Sequence, residues 1–327
     1  MKKIIPFLKY KTIAFIVSAI LLVTFSVGIV LNKGFNFGID FVGGVKIIAK
    51  FEKDADEKKI RELLKKFKPT VQKIGTDEKN EYIISTKLNI KKFNAARQKM
   101  VEAQKKNALK NNQKNDKKKK EELQTIEDYV KLEAKGIRVA LKAKFPKVEF
   151  LSIETVGPAI GDFLRKSAGK LMAIAVILMM IYLAFRFEVK YSMGAMAALV
   201  HDIGLSVLFC GFVGVEFSIP VIAAILTIFG YSVNDTIVIF DRIRENVESK
   251  SKMSATDIVN QSISQSVSRT LLTSLTTTFT VLALYLIGGD VLNDFALVLL
   301  FGILVGTYSS VYVASPVLVF WEKIKGK

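Results

Sequence analysis

The sequence predicts an α-helical polytopic membrane protein with six transmembrane helices and one extracytoplasmic α+β domain of ferredoxin-like type. Three observations carry that reading. Hydrophobic residues make up 50% of the 327, yet 24% are charged, so the two kinds must be segregated along the chain. Six apolar runs are long enough to cross a bilayer, which takes about 20 helical residues. Between the first two runs lies a long polar segment with the periodicities of a soluble fold.

The apolar runs cover residues 12–31, 168–185, 192–213, 218–240, 270–287 and 292–319. They divide the chain into an N-terminus with the first helix (1–31), an extracytoplasmic domain (32–167), the five remaining helices (168–319) and a tail (320–327). An even number of spans puts both termini on one side. Lys2, Lys3, Lys9 and Lys11 precede the first span, Arg186 and Lys190 join the second to the third, Arg242, Arg244, Lys250 and Lys252 follow the fourth, and Lys323, Lys325 and Lys327 end the chain. Basic residues in short connections mark the cytoplasmic side. The opposite loops, 214–217 and 288–291, carry only Glu216 and Asp290. The 32–167 domain is then external; although basic, a long translocated domain escapes the charge rule. The first span reads as an uncleaved anchor, since its core is too long for a secretion signal and residues 27–33 offer no small-residue cleavage site. Cys210, the lone cysteine, falls in the third span and reads as inert packing.

Within the external domain, residues 45–51 alternate as a strand and 54–67 carry Ile60, Leu63, Leu64 and Phe67 at helical spacing. Residues 70–74 and 81–88 read as strands around a polar turn at 75–80. A helical region over 90–144 and a strand over 148–156 complete a β-α-β-β-α-β order, the split ferredoxin-like arrangement. Residues 105–122 are almost all Lys, Asn, Gln and Glu and cannot bury a core. A polybasic patch for anionic lipid is one reading of this insertion; a solvated extension is favoured.

The chemistry is expected inside the membrane. Asp235 lies six residues inside the polar end of the fourth run, about 9 Å deep at the helical rise. An ionisable group there costs about 2.5 to 3.5 kcal/mol on insertion scales and usually marks function. Arg269, the only basic residue in the core of the next segment, is its expected partner. Thr227, Tyr231 and Asp235 share one helix face, with Ser232 beside them, and Arg269, Thr273, Thr276, Thr277 and Thr280 cluster on the next helix. Two readings follow: hydroxyls facing one another around a file of water that relays protons, or hydroxyls bonded to their own backbone beside a static ion pair. The relay is favoured, with Asp235 titrating, Arg269 permanently charged and Asn234 able to bond either state. Asp202 lies on a small-residue stripe with Gly194, Ala198 and Ser206, read evenly as a helix-packing hydrogen bond or a secondary relay position. Its neighbour His201, the only histidine, is weighted toward packing. Gly302, Gly306 and Ser310 recur at intervals of four, a surface for close helix contact. Ser254, with Asp257 three residues on, marks a helix start.

No phosphate-cradling loop ending in Lys-Ser or Lys-Thr, no cysteine pair and no second histidine for a metal occur in the sequence. ATP is therefore not the expected fuel, and no enzymatic activity is expected. Gly43 and Gly44 read as a tight backbone turn rather than a nucleotide loop.

Residues 37–44 (FGIDFVGG), 156–161 (VGPAIG), 201–202 (HD), 230–236 (GYSVNDT), 240–246 (FDRIREN) and 268–270 (SRT) together resemble the SecD/SecF family of the RND superfamily, in its SecF branch, over nearly the whole chain. The resemblance implies a bacterial inner-membrane, multi-pass protein with both termini cytoplasmic. It would work with SecD beside the SecYEG channel, together with YajC, and use the proton-motive force to assist late translocation and release of unfolded secreted polypeptides. Protons would be the coupling ion, with no cofactor, no metal and no nucleic acid. Carried over by motif, Asp235 and Arg269 match the proton-pathway residues, with Asn234, Asp202, Thr273 and Thr277 around them, and Gly38, Asp40, Gly43 and Gly44 match the motif after the first span. Only one six-span unit is present, which implies a separate SecD-like subunit. Half of an RND-type small-molecule or lipid exporter and a passive scaffold for emerging chains are the alternatives. The long basic insertion departs from the compact external domain usual in the family.

Overall fold

The computed structural model describes residues 4–52, 55–74, 80–88, 117–249 and 253–325. In chain order these form α1 (Lys11–Leu31), α2 (Ile39–Val42), β1 (Gly44–Lys50), α3 (Glu57–Leu63), β2 (Thr70–Ile74), β3 (Glu81–Lys87), α4 (Lys117–Lys144) and β4 (Glu149–Val156). Then follow α5 (Pro158–Arg186), α6 (Val189–Val213), α7 (Ile219–Ser249), α8 (Ala255–Ile287), α9 (Asp290–Ser309), a π-helical turn (Ser310–Ala314) and α10 (Ser315–Lys325). The chain divides into a unit of Met1–Asn36 with Ala168–Lys327 and a unit of Phe37–Ser167.

In the second unit the four strands pair antiparallel in the order β2-β3-β1-β4. Alternation along β1 turns Val45, Ile47 and Ala49 to one face, where all three are fully buried. Ile60 and Leu64 from α3 and its end, and Ile137 and Leu141 from α4, cover that face. Burying each such aliphatic side chain contributes about 1.5–3 kcal/mol. The chain enters β1 through Gly43 and Gly44, at φ 77° and 152°, conformations that L side chains rarely adopt. A Cβ on Gly44 would lie 2.1 Å from the Thr86 carbonyl oxygen, so the turn is as tight as the sequence suggests. The start of the long helical region and residues 105–116 of the insertion lie outside the described residues, as do 75–79 of the polar turn.

Among the described residues six helices are long and apolar enough to cross a membrane: Phe7–Leu31, Ala159–Arg186, Val189–Val213, Ile219–Ser249, Ala255–Ile287 and Leu292–Trp321; all belong to the first unit but for the start of the second helix, up to Ser167. The fourth and the sixth are the most buried, and the second and the fifth the least. Glycines explain how α9 reaches α7. A Cβ on Gly302 would fall 2.1 Å from Ile228 Cδ1, and one on Gly306 would fall 3.2 Å from Ser232 Cα, so the intervals of four seat α9 against α7 within this chain. Gly194 does the same for α6, where a Cβ would lie 2.8 Å from the Ala314 carbonyl oxygen.

Helices α7 and α8, of 31 and 33 residues, are about 46 and 50 Å long, well beyond a hydrocarbon core of about 30 Å. Their overhanging ends are held by polar side chains. Arg242 Nε donates to Gln265 Oε1 at 2.6 Å, and Asn246 Nδ2 donates to the same oxygen at 2.9 Å and to Ser262 Oγ at 2.8 Å. The N-terminal segment docks here too: the Ile5 N–H donates to Ser264 Oγ and the Leu8 N–H to Asn260 Oδ1, both at 3.0 Å. Ser254 caps α8, accepting the Asp257 N–H at 3.2 Å.

Candidate functional site

Two buried carboxylates lie in the bundle, each among hydroxyls supplied by neighbouring helices. Asp235 on α7 is 2% exposed and Asp202 on α6 is fully buried. Around Asp235, Ser274 Oγ on α8 donates to Oδ2 at 3.3 Å, and Thr307 Oγ1 on α9 lies 2.7 Å from Ser274 Oγ. The carboxylate therefore sits where three spans meet, facing neutral hydroxyls.

Arg269 is not the partner of Asp235. Among the described residues Arg269 makes no ion pair, and it is exposed on the surface of this chain. The reason is helical phase. Ser274 faces Asp235, and five residues back along α8 the chain has turned about 140° from that direction, so Arg269 points out of the bundle.

The hydroxyl stripe of α8 is corrected in the same way. Thr273, Thr276 and Thr280 are exposed beside Arg269, and Thr273, Thr276, Thr277 and Thr280 all donate to carbonyls of their own helix at 2.9–3.1 Å. Thr227 on α7 likewise bonds back to the Ala223 carbonyl, and the Tyr231 hydroxyl is buried without a described partner. These threonine hydroxyls thus bond to their own backbones, as the second of the two readings has it, but without the static ion pair that the same reading included. Asn234 is exposed and lines an open cleft of about 400 Å³ between α5 and α7, with Met179, Tyr182 and Gly230.

The second carboxylate is the more densely bonded. Asp202 Oδ2 accepts from Ser232 Oγ at 2.5 Å and from Ser309 Oγ at 2.6 Å, tying α6 to α7 and α9. Its Oδ1 lies 2.8 Å from His201 Nδ1, and His201 Nε2 lies 2.9 Å from Ser18 Oγ on α1. Ser18 Oγ in turn lies 3.1 Å from the Tyr308 hydroxyl, which donates to the Ala14 carbonyl at 2.6 Å. His201 is therefore part of a hydrogen-bonded chain across three helices rather than packing alone. Ser232 precedes Asp235 by three residues, so one face of α7 serves both acids.

Ser274, Thr307, Ser309, Ser18 and Tyr308 are absent from the sequence-based set. Ser18 is a lone hydroxyl in an apolar run, Ser274 is one of many hydroxyls over 273–280, and Thr307, Tyr308 and Ser309 are consecutive; only the packing of another helix distinguishes each from its neighbours. Asp40 and Gly38 lie at and just before the short helix α2, and Gly43 terminates it. No group of three or more His, Cys, Asp or Glu suited to a metal occurs among the described residues.

A unit with six helices of membrane-spanning length and buried carboxylates at its helix junctions, together with a small α+β unit, defines a polytopic membrane protein. Residues 137–324 match the family described as protein export membrane protein SecD/SecF, C-terminal, and residues 28–55 match the SecD/SecF GG motif. The chain is 38% identical over 327 residues to the protein translocase subunit SecF of Desulfurispirillum indicum, covering 97% of this chain and 92% of that protein. It is 36% identical over 305 residues to the SecDF subunit of Thermus thermophilus, covering 93% of this chain and 37% of that longer protein. The crystal structure of SecDF from Thermus thermophilus superposes with a TM-score of 0.71 at 33% identity, over 96% of this chain and 38% of that one. The chain belongs to the SecD/SecF family.

Proposed function

We propose that this chain is a SecF-type subunit of the Sec protein-export machinery, which works with a SecD-type partner and uses the proton-motive force to assist late translocation and release of unfolded secreted polypeptides. The observation that carries this reading is the environment of Asp235: a carboxylate 2% exposed, in a membrane span, opposite Ser274 and Thr307. With only neutral hydroxyls beside it, gain of a proton removes the one charge that resists movement of α7 through an apolar medium. Proton binding and helix motion are thereby linked.

Arg269 supports the need for a partner. An arginine exposed on a membrane-spanning helix is costly against lipid, and together with Thr273, Thr276 and Thr280 it forms a polar face suited to a second helical unit. Asn234 and its cleft present a further polar spot on α7. A SecD-type half covering these faces brings Arg269 a counter-charge. The Thermus relative, in which a chain of SecDF name is more than twice this length, agrees with such pairing. SecYEG and YajC are the further partners, and the membrane is the bacterial inner membrane with both termini cytoplasmic. The proposal assigns no enzymatic reaction and no cofactor other than the coupling proton.

The test is reconstitution of this chain with its SecD-type partner, the SecYEG channel and the ATP-driven motor in vesicles. An imposed proton gradient is expected to speed completion of translocation only when both subunits are present. Efflux of a small molecule by this chain, without effect on translocation, would support the exporter instead. A gradient-independent effect on translocation would support a passive scaffold.

A further inference from the structure

We infer that His201 and Asp202 form a second proton-binding site, occupied in the conformation described, whose proton holds α1 to α9 through Ser18 and Tyr308. The inference concerns groups separate from Asp235 and does not rest on the proposed export function.

Counting hydrogens carries the argument. Four consecutive contacts run from Asp202 Oδ1 to His201 Nδ1, from His201 Nε2 to Ser18 Oγ, from Ser18 Oγ to Tyr308 Oη, and from Tyr308 Oη to the Ala14 carbonyl, at 2.8, 2.9, 3.1 and 2.6 Å. Each needs one hydrogen. A carbonyl oxygen only accepts, so the tyrosine hydrogen is committed to Ala14. Ser18 has a single hydrogen and two neighbours that compete for it. If the imidazole is neutral and the carboxylate ionised, Nδ1–H serves Asp202 and Nε2 takes the Ser18 hydrogen. The Ser18 and Tyr308 oxygens then face each other with no hydrogen between them.

One added proton completes the chain. With Nε2 protonated, Nε2–H donates to Ser18 and the Ser18 hydrogen is released to Tyr308. The pair is then either imidazolium with carboxylate or imidazole with carboxylic acid, and both forms contain the same number of protons and have no net charge. Oδ2 is already engaged by Ser232 and Ser309, so neither form leaves a carboxylate oxygen unpaired.

The charge balance agrees. Among the described residues, His201 is the only ion-pair partner of Asp202. Of the elements packed on α6, α9 and the π turn bring Tyr308 and Tyr312, with Asp294 about four turns before Ser309; α7 brings Tyr231 and Asp235, with Arg242 and Arg244 about three turns beyond Ser232; and residues 315–321 of α10 contain no ionisable side chain. On α1, Tyr10 and Lys11 stand about two turns before Ser18. Without the added proton, the pair is a net anion in an apolar interior, where uncompensated charge is strongly disfavoured. Release of the proton to water therefore also removes the Ser18–Tyr308 bond, so unloading takes one of two hydrogen bonds between α1 and Tyr308 and leaves the bond to the Ala14 carbonyl.

The single histidine makes the test unambiguous. The full chain, purified through a histidine-free affinity tag and labelled with ¹⁵N-histidine, is placed in bilayers and its imidazole followed by solid-state NMR against pH. The expected result is a protonated Nε2 at neutral pH that is lost on alkalinisation. In Tyr308→Phe, which removes the competing acceptor, Nε2 loses its proton at less alkaline pH than in the wild-type chain. Asp235→Asn leaves the signal unchanged, so failure at Asp235 and failure here are told apart. A bare Nε2 with Nδ1–H at neutral pH would overturn the proton site, and an unmoved titration in Tyr308→Phe would overturn the link to α9.

Discussion

The neighbours of Asp235 set how readily its carboxylate carries a proton, and Ser274 is the nearest of them to act. Its hydrogen bond stabilises the ionised form, and a hydrogen bond to a charged group contributes about 1.5–3 kcal/mol. Ser274→Ala is therefore expected to reduce gradient-driven translocation by about tenfold or more in reconstituted vesicles. Thr273→Ala, whose hydroxyl serves only its own helix, should change the rate by less than about twofold. A reversed order would place the working hydroxyls on the exposed face of α8. At this scale the sequence was half legible. Asp235 and Asp202 stand out because a charge in an apolar run is itself a signal. Their partners do not, since phase decides them, and phase is fixed only when α8 packs on α7. The same 140° that brings Ser274 inward carries Arg269 out, so sequence proximity of two charged residues on adjacent spans misassigned the pair.

Helices α7 and α9 are held by shape rather than by charge, because Gly302 and Gly306 let the backbones approach. Gly302→Leu drives a side chain into Ile228, and overpacking of this kind costs about 1–3 kcal/mol. The variant should unfold at lower temperature in detergent, with partial recovery in Gly302→Leu/Ile228→Ala. Gly204→Ala, with nothing within 4 Å of the added methyl, should be unchanged; equal loss in both would show that glycine flexibility, not contact, matters. The elements themselves were largely readable, since apolar runs of bilayer length and alternation along β1 leave few other structures. Two features escaped. The fourth helix runs on past Phe240, and the fifth continues unbroken from the start marked at Ser254 into the span, with Arg242, Asn246, Ser262 and Gln265 bonding across the gap where hydropathy ends. The π turn at Ser310–Ala314 has no hydrophobic-period signature at all, yet it follows directly on the hydroxyl that binds Asp202; π turns recur at functional sites.

Arg269 is exposed on α8 and makes no ion pair among the described residues, so Arg269→Met should leave the unfolding temperature of the isolated chain unchanged while weakening copurification with the SecD-type partner and lowering the gradient-driven rate. Loss of thermal stability in the isolated chain would instead make Arg269 a structural residue of this subunit. If Asp235 carries the proton that couples the gradient to export, its amide variant separates the two sources of drive. Translocation is measured in vesicles holding the partner subunit, the channel and the ATP-driven motor, with and without an imposed proton gradient, for wild type and Asp235→Asn. Asp235→Asn is expected to keep the ATP-driven rate and lose the increment due to the gradient, because a carboxamide does not bind and release a proton as a carboxylate does. A full gradient-driven increment in Asp235→Asn would contradict it.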